Sequence, residues 1–334
     1  LSLLLRDLVA LLTGAELAPA SNVDYRAHAG ARDRSIRAAE ERQTAYWRER
    51  LTDLPGGLEL PTDRPRRIGH QPVGGSFSFH LPPELVSGLE MVAATHRARP
   101  QAMYVAAYAI LLSRLSGADD LVIGVPVNDR PEGFEEVVGL FLNTLPLRVR
   151  PRPDMSAGDL IRDVAGSMRG LLGNASVPLT GIVQAENSPR ELGRTPLLHT
   201  VLDWRESPDD DIEPSGARPI ELEVATAPFD FALTLRKEFD GSVRGGMIFD
   251  AALLDREIVE VWARSLTRII ASIVADGTIS VAELPAVDDL DLSKSWIVGP
   301  NQDRTPPLRD ALKNAFEFHE SRIAIETPRQ SLTY

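Results

Sequence analysis

The sequence predicts an α/β lobe, a mixed sheet covered by helices, with a helical remnant at its amino-terminal end. Three observations carry this. Segments with strand-like alternation and segments with helical spacing follow one another over residues 75–275, the pattern that layers helices on a sheet. Residues 101–116 are apolar almost all round, as in a helix buried on both sides. Asp240-Gly241 stands between two strand candidates as a hairpin signal, and a long amphipathic helix follows; such a helix closes a lobe.

The elements follow in order. Residues 1–12 form a leucine-rich helix that starts without a cap signal. Gly14 and Pro19 punctuate a loop, and residues 38–51 resume helical spacing, with Tyr46, Trp47 and Leu51 on the apolar face and Trp47 read as core. The stretch Leu58-Glu59-Leu60-Pro61-Thr62-Asp63-Arg64-Pro65 is extended, because each proline biases the residue before it away from helix. Residues 76–81 alternate as a strand, and Pro82-Pro83-Glu84 opens a helix carrying Leu85, Leu89 and Val92. Residues 119–127 read as a turn and a buried strand, terminated by Asn128-Asp129-Arg130-Pro131.

Next comes Val138-Gly139-Leu140-Phe141-Leu142-Asn143-Thr144-Leu145-Pro146-Leu147-Arg148-Val149-Arg150. Leu145, Leu147 and Val149 share one face of a strand, Thr144 and Arg148 the other, while Gly139 permits close backbone approach or a positive φ. Residues 156–172 are an amphipathic helix capped by Ser156. Beyond a proline- and aspartate-rich loop at 206–219, strands are expected at 220–224, 229–235 and 243–249. The closing helix, 254–275, places Ile258, Val261, Trp262, Leu266, Ile269, Ile270 and Ile273 on its buried side. From residue 279 the texture becomes that of a linker, and residues 308–320 are again helical.

Composition narrows the function. With 334 residues, 43% hydrophobic and 25% charged, the chain can bury one large or two ordinary cores. Its net charge of -12 argues against a general nucleic-acid binder. The absence of cysteine excludes disulfides, thiolate metal sites and cysteine nucleophiles. No metal cluster is visible: His80 and His96 are isolated and read as surface or packing residues, and His199 as structural. Apolar runs fall short of the roughly 18 residues that suggest a membrane span, and no export signal is recognisable, so a cytoplasmic location is expected. Both ends read as cuts, which suggests an internal piece of a longer polypeptide.

A family resemblance joins these segments. Gly139-Leu140-Phe141-Leu142-Asn143-Thr144, ending in Arg148, resembles the Gly-x-Phe-x-Asn-Thr-x-x-x-Arg motif of condensation domains from non-ribosomal peptide synthetases. Asp119-Asp120 through Gly124, Pro126 and Arg130 is similar to the strand that precedes it there. Tyr46-Trp47 followed by Leu60-Pro61-Thr62-Asp63-Arg64-Pro65 resembles the family's inter-lobe connection, and Arg194, Pro196 and Leu197 align with a later motif. Asp24-Tyr25 matches part of a Tyr-x-Asp-Tyr-Ala-x-Trp motif whose tryptophan is missing here. Residues 174–183 keep only the proline, the spacing and the closing aliphatic pair of another. The last residues resemble the opening of an adenylation domain, without its ATP loop.

The resemblance implies half of a chloramphenicol-acetyltransferase-like, two-lobed V. Residues 1–65 would close the first lobe and make the connection, 66–278 would be the carboxy-terminal lobe, 279–307 a linker, and 308–334 the start of an adenylation domain. It implies amide-bond formation between thioesters on carrier proteins. The phosphopantetheine arms would belong to those partners, and no cofactor or metal would be held by this chain. Asn143, with Thr144, Gly139 and Asp230, would line the substrate tunnel. Arg130 and Arg148 are read as loop-anchoring ion pairs, with Arg194 and Pro196 as structural motif residues. Asp230 also fits a strand cap or an ion pair with an arginine. The arginines at 64, 66 and 67 would suit a carrier protein or simply a solvated linker.

The expected catalytic His-His-x-x-x-Asp-Gly motif is absent. His28, His70, His80, His96, His199 and His319 are never adjacent, so acyl transfer by this chain alone should be negligible. Two alternatives stay open, an epimerisation-type domain of the same fold and a non-catalytic platform for carrier proteins.

Overall fold

The computed structural model describes residues 2–17, 24–54, 57–66, 71–186, 196–206, 226–285, 323–327 and 330–333. It divides into two units, residues 1–288 and residues 289–334. The first holds helices α1 (Ser2–Thr13), α2 (Tyr25–Leu51), α3 (Pro83–Thr95), α4 (Pro100–Ser116), α5 (Ala157–Leu172), α6 (Leu179–Glu186) and α7 (Arg256–Ala275). Its strands are β1 (Gly74–Leu81), β2 (Leu121–Asn128), β3 (Leu142–Val149), β4 (Thr200–Arg205), β5 (Phe231–Lys237) and β6 (Val243–Asp250). In the second unit, β7 (Ile323–Thr327) and β8 (Gln330–Thr333) pair antiparallel. The expected strand at 220–224 and helix at 308–320 lie outside the described residues.

The sheet runs β1-β6-β5-β4-β2-β3 and is mixed: β4 is parallel to both neighbours, and the other pairs are antiparallel. At the expected hairpin, Gly241 has a φ of 82°, and Asp240 accepts a hydrogen bond from the Ser242 amide at 2.9 Å. The β2–β4 junction is narrow, with register only at Gly124 and Val201. A Cβ at Gly124 would come within 2.8 Å of Val201 Cγ2, so a glycine is what allows the two strands to meet.

Helix α4 lies in the middle of the core, with every residue from Ala102 to Leu112 buried, as its all-round apolar sequence predicts. Tyr108 Oη and Thr200 Oγ1, both fully buried, are 2.5 Å apart and tie α4 to β4. Burial pushes the Tyr108 hydroxyl well above the ordinary tyrosine range. Trp262 of α7 meets the Phe231 ring edge-on at 5.1 Å.

Two elements differ from expectation. Helix α2 starts thirteen residues before residue 38, at Tyr25, where the Asp24 carboxylate accepts from the Arg26 amide at 3.0 Å. Its first half has no apolar stripe to betray it; alanine and arginine carry it by intrinsic helix propensity. The stretch 279–284, expected as linker, packs into the first unit. Val281–Glu283 is a 3-10 turn capped by Ser280, Val281 and Leu284 are buried, and the Arg114 guanidinium donates to the carbonyls of Val281 and Ala282, both at 2.7 Å. The boundary expected at 278 therefore falls inside a packed unit.

Replacing Tyr108 by Phe would strand the fully buried Thr200 hydroxyl. The variant is expected to lose about 1–3 kcal/mol of stability, read as a lower urea midpoint.

Candidate functional site

Strand β3 shows its two faces in alternation. Asn143, Leu145, Leu147 and Val149 turn toward the core, while Leu142 is exposed and Thr144 half-buried on the other face. Asn143 is only 7% exposed. Its amide nitrogen donates to the carbonyls of Ala175 at 2.9 Å and Val177 at 3.0 Å. An amide carries two hydrogens, so none is left to donate to a bound carbonyl. From the opposite side, Gln43 of α2 accepts from the Val177 amide at 3.2 Å, and the Trp47 indole donates to the Asn174 carbonyl at 3.1 Å. Residues 174–177 are thus fastened between β3 and α2. Gln43, itself buried, gave no signal in the sequence; only its spacing of four from Trp47, on the same helix face, could have suggested it.

Arg148 is buried and makes the densest set of hydrogen bonds in the region. Nε and Nη2 grip Asp120 at 2.8 and 2.6 Å. Nη1 donates to the carbonyls of Arg50 at 3.2 Å and Thr52 at 2.6 Å, and Nη2 to that of Asp53 at 3.1 Å. These carbonyls belong to the end of α2 and the turn beyond it, where the helix has no partners of its own to offer. Asp53 takes a φ of 53° there. The expected loop-anchoring ion pair is present, and it also caps a helix. Burial pushes the Asp120 carboxyl up, but hydrogen bonds and charge from Arg148 and Arg150 outweigh it and hold the group below the ordinary carboxylate range.

Gly139 makes room for a ring. A Cβ there would lie 2.2 Å from Cδ2 of Tyr25, and Tyr25 Oη donates to the Leu140 carbonyl at 2.9 Å. Of the two reasons a glycine could be needed, close approach is the one seen. Arg130 acts on backbone: its Nη1 donates to the carbonyls of Phe134 at 2.5 Å and Val137 at 2.6 Å, and its guanidinium stacks 4.0 Å from the Phe141 ring centre.

Asp230 pairs with Arg66 at 2.5 Å. This ion pair belongs to a strap. Along residues 58–66, the Leu58 amide donates to His199 Nδ1 at 2.9 Å, the Arg64 amide to the Leu253 carbonyl at 3.1 Å, and the Arg64 guanidinium to Asp255. Asp63 in turn accepts from the Asp255 amide at 2.7 Å. Arg64 and Arg66 are therefore engaged by the lobe itself, and His199 holds the strap. Pro196 starts a tight turn, its carbonyl accepting from the Leu198 amide at 2.8 Å, with Leu197 at a φ of 67°. Arg194 and Arg67 lie outside the described residues.

An open groove of about 970 Å³ runs beside the end of α2, lined in part by Arg50, Arg148, Arg150, Arg152 and Arg162. Carboxylates answer most of this charge: Asp120 pairs with Arg150, Asp154 with Arg152 and Asp159 with Arg162. Among the described residues no group of histidines and carboxylates could hold a metal ion, and no helix is long and apolar enough to cross a membrane.

The family model for the condensation domain matches residues 1–294. The chain belongs to the condensation-domain family. It is 31% identical to the phosphinothricin tripeptide synthetase PhsC of Streptomyces viridochromogenes over the whole of its own length and 32% of that protein. Against the malpinin synthetase of Mortierella alpina the identity is 29%, over 87% of this chain and 4% of the other. The chain thus spans a third or less of these curated relatives. Among solved structures, the X-domain from teicoplanin biosynthesis superposes with a TM-score of 0.74 at 23% identity, over 86% of this chain and 68% of that one. A four-domain nonribosomal peptide synthetase bound to AMP and glycine also reaches 0.74, at 21% identity, over 86% of this chain and 23% of its own. At these identities the structural likeness establishes the condensation-domain fold.

Two measurements check the arginine knot. Arg148→Lys keeps the charge but not the planar fork, and should lose about 2–3 kcal/mol through the carbonyls and carboxylate oxygen it abandons, seen as a lower denaturation midpoint. Because the Asp120 carboxyl is depressed in the folded chain, its contribution is complete above the unfolded carboxylate value of about 4 and fades as pH falls through the lower folded value. Wild type and Asp120→Asn should differ in stability at pH 6 and converge toward pH 3.

Proposed function

We propose that this chain is the carboxy-terminal lobe of a condensation domain, with the connection to the first lobe at its start and a linker and the opening of an adenylation domain at its end. The complete domain, within a non-ribosomal peptide synthetase of the cytoplasm, would form amide bonds for a secondary metabolite such as an antibiotic or siderophore. The observation that carries this reading is the engagement of the whole Gly139–Arg148 run within a chain matched by the condensation-domain model. Gly139 seats Tyr25, Asn143 fastens residues 174–177, and Arg148 fastens the end of α2. The 68% share of the X-domain chain that is covered fits a lobe with its connection rather than two lobes.

In the proposed reaction, the amine of an aminoacyl thioester on one carrier protein attacks the acyl carbon of a thioester on another. The C–N bond forms and the C–S bond breaks. The proton lost by the amine ends on the departing thiol of the donor's phosphopantetheine arm. A positioned base contributes roughly 10²–10⁴-fold to such a step. The resemblance assigns that base to a paired-histidine motif, and the six histidines of this sequence contain none. What this chain supplies is a wall of the tunnel. Asn143 shapes it by holding residues 174–177 in place, Thr144 lies on the other face of β3, and Asp230 fixes the start of β5 through Arg66.

The lack of the paired histidines in this sequence favours a second reading, a platform that binds carrier proteins without chemistry. Intact-protein mass spectrometry separates the two. Donor and acceptor carrier proteins, each loaded with an aminoacyl group, are incubated with this chain or with a version extended upstream by its natural sequence to whole-domain length. Formation of the dipeptidyl thioester by the extended protein alone is the expected result. If the extended protein only inverts a loaded residue, an epimerisation domain is indicated; if it leaves both thioesters unchanged while binding the carriers, the platform reading takes over.

A further inference from the structure

We propose that Tyr25 and His28, one turn apart at the start of α2, are positioning residues for the loop at 129–141, and that they act in opposite directions. Tyr25 fastens the loop; the imidazole of His28 weakens its hold. This rests on the reading of residues 139–148 as part of the tunnel wall, because the loop delivers the chain to Asn143.

The loop is clasped by one face of α2. Tyr25 lies on Gly139 with no room for a side chain there, and its hydroxyl reaches the Leu140 carbonyl at 2.9 Å. His28 is 7% exposed and packs among three rings, with centres 5.8 Å away at Tyr25, 5.2 Å at Phe134 and 4.9 Å at Phe141. Tyr25 and Phe141 meet edge-on at 5.3 Å. One helical turn further, Arg32 pairs with Asp129 at 3.3 Å, and Arg6 of α1 pairs with Glu136 at 2.6 Å. The slot is therefore well packed, yet His28 Nε2 is buried in it with no hydrogen-bond partner.

A buried polar atom without a partner works against the state that buries it. A phenyl ring would keep the packing against Tyr25, Phe134 and Phe141 and remove the unmatched nitrogen. The clasp is thus weaker than its aromatic contacts alone would make it, and the weakness is placed on the loop that leads into Asn143. Loss of the Tyr25 hydroxyl has the reverse effect, since it releases the Leu140 carbonyl.

Amide hydrogen exchange by mass spectrometry, on this chain without substrate, reads the clasp directly, because local opening sets the exchange rate of a loop. Tyr25→Phe is expected to raise exchange in peptides covering 129–141 roughly five-fold, and His28→Phe to lower it by a similar factor. Peptides from α4 should be unchanged in both. The double variant should return the loop close to the wild-type rate, a compensation that two independent packing defects would not give. Faster exchange in His28→Phe, a silent Tyr25→Phe, or changes that spread to α4 would overturn the proposal. The experiment uses no thioester, so its failure is distinct from failure of the condensation assay. In the extended protein, the His28→Phe loop should also show itself as a changed kcat at constant KM.

Discussion

The Arg148 guanidinium is the point on which this lobe turns. A strand on the edge of a sheet, the end of a 27-residue helix and the turn before β2 meet there; the strand brings the guanidinium, and the helix end and the turn bring oxygen atoms that water would otherwise have to satisfy. A single planar fork satisfies them together. Lysine has the charge but not the geometry to do so, and the buried position keeps the ion pair from being screened as surface pairs are. Because Asp120 is held by both Arg148 and Arg150, the arrangement is a small network rather than a lone pair. Once it is formed, α2 is registered against β3 at one end, and Gln43, Trp47 and Asn143 complete that registration around residues 174–177. Further back along the same helix, Tyr25 and His28 meet the loop that feeds β3. One helix is thus fixed to one strand and its approach at three successive levels.

The sheet has a complementary weakness. The β1-β6-β5-β4 group is broadly paired, as is β2 with β3, but the two groups share register at a single residue pair. Helix α4, buried along most of its length, is tied to the β4 side through Tyr108 and the ring contact of Tyr104 with Trp204 at 4.7 Å, and it also packs against β2 across the division. The strap at 58–66 binds the β4–β5 side by backbone and ionic contacts, whereas α2 binds the β3 side. Each half of the sheet accordingly has its own fastening to the amino-terminal part of the chain.

Much of this was legible from sequence, for identifiable reasons. Residues 101–116, 156–172 and 243–249 obey periodicities that burial imposes, and Ser156 and Asp240-Gly241 mark ends and turns by local chemistry that acts within a few residues. Trp47 was readable as core from its helical neighbours. What was not legible depends on partners distant in sequence. Nothing near Asn143 reveals that Ala175 and Val177 accept its hydrogens, and nothing near Arg66 reveals Asp230. The first half of α2 escaped because propensity rather than periodicity maintains it. The linker-like texture of 279–284 misled because short stretches without helical or strand periodicity read alike whether solvated or, as here, held by an arginine from another helix.

That last contact bears on how such assembly-line proteins could be recombined. Arg114 reaches the carbonyls of Val281, Ala282 and Leu284, and Ser156 bridges to Ser280. A graft junction drawn at residue 279, where the texture first turns linker-like, would sever a built-in clamp, leaving a guanidinium without acceptors and two apolar side chains uncovered on the donor fragment. Placed after Pro285, the same junction would carry the clamp along with the lobe it closes.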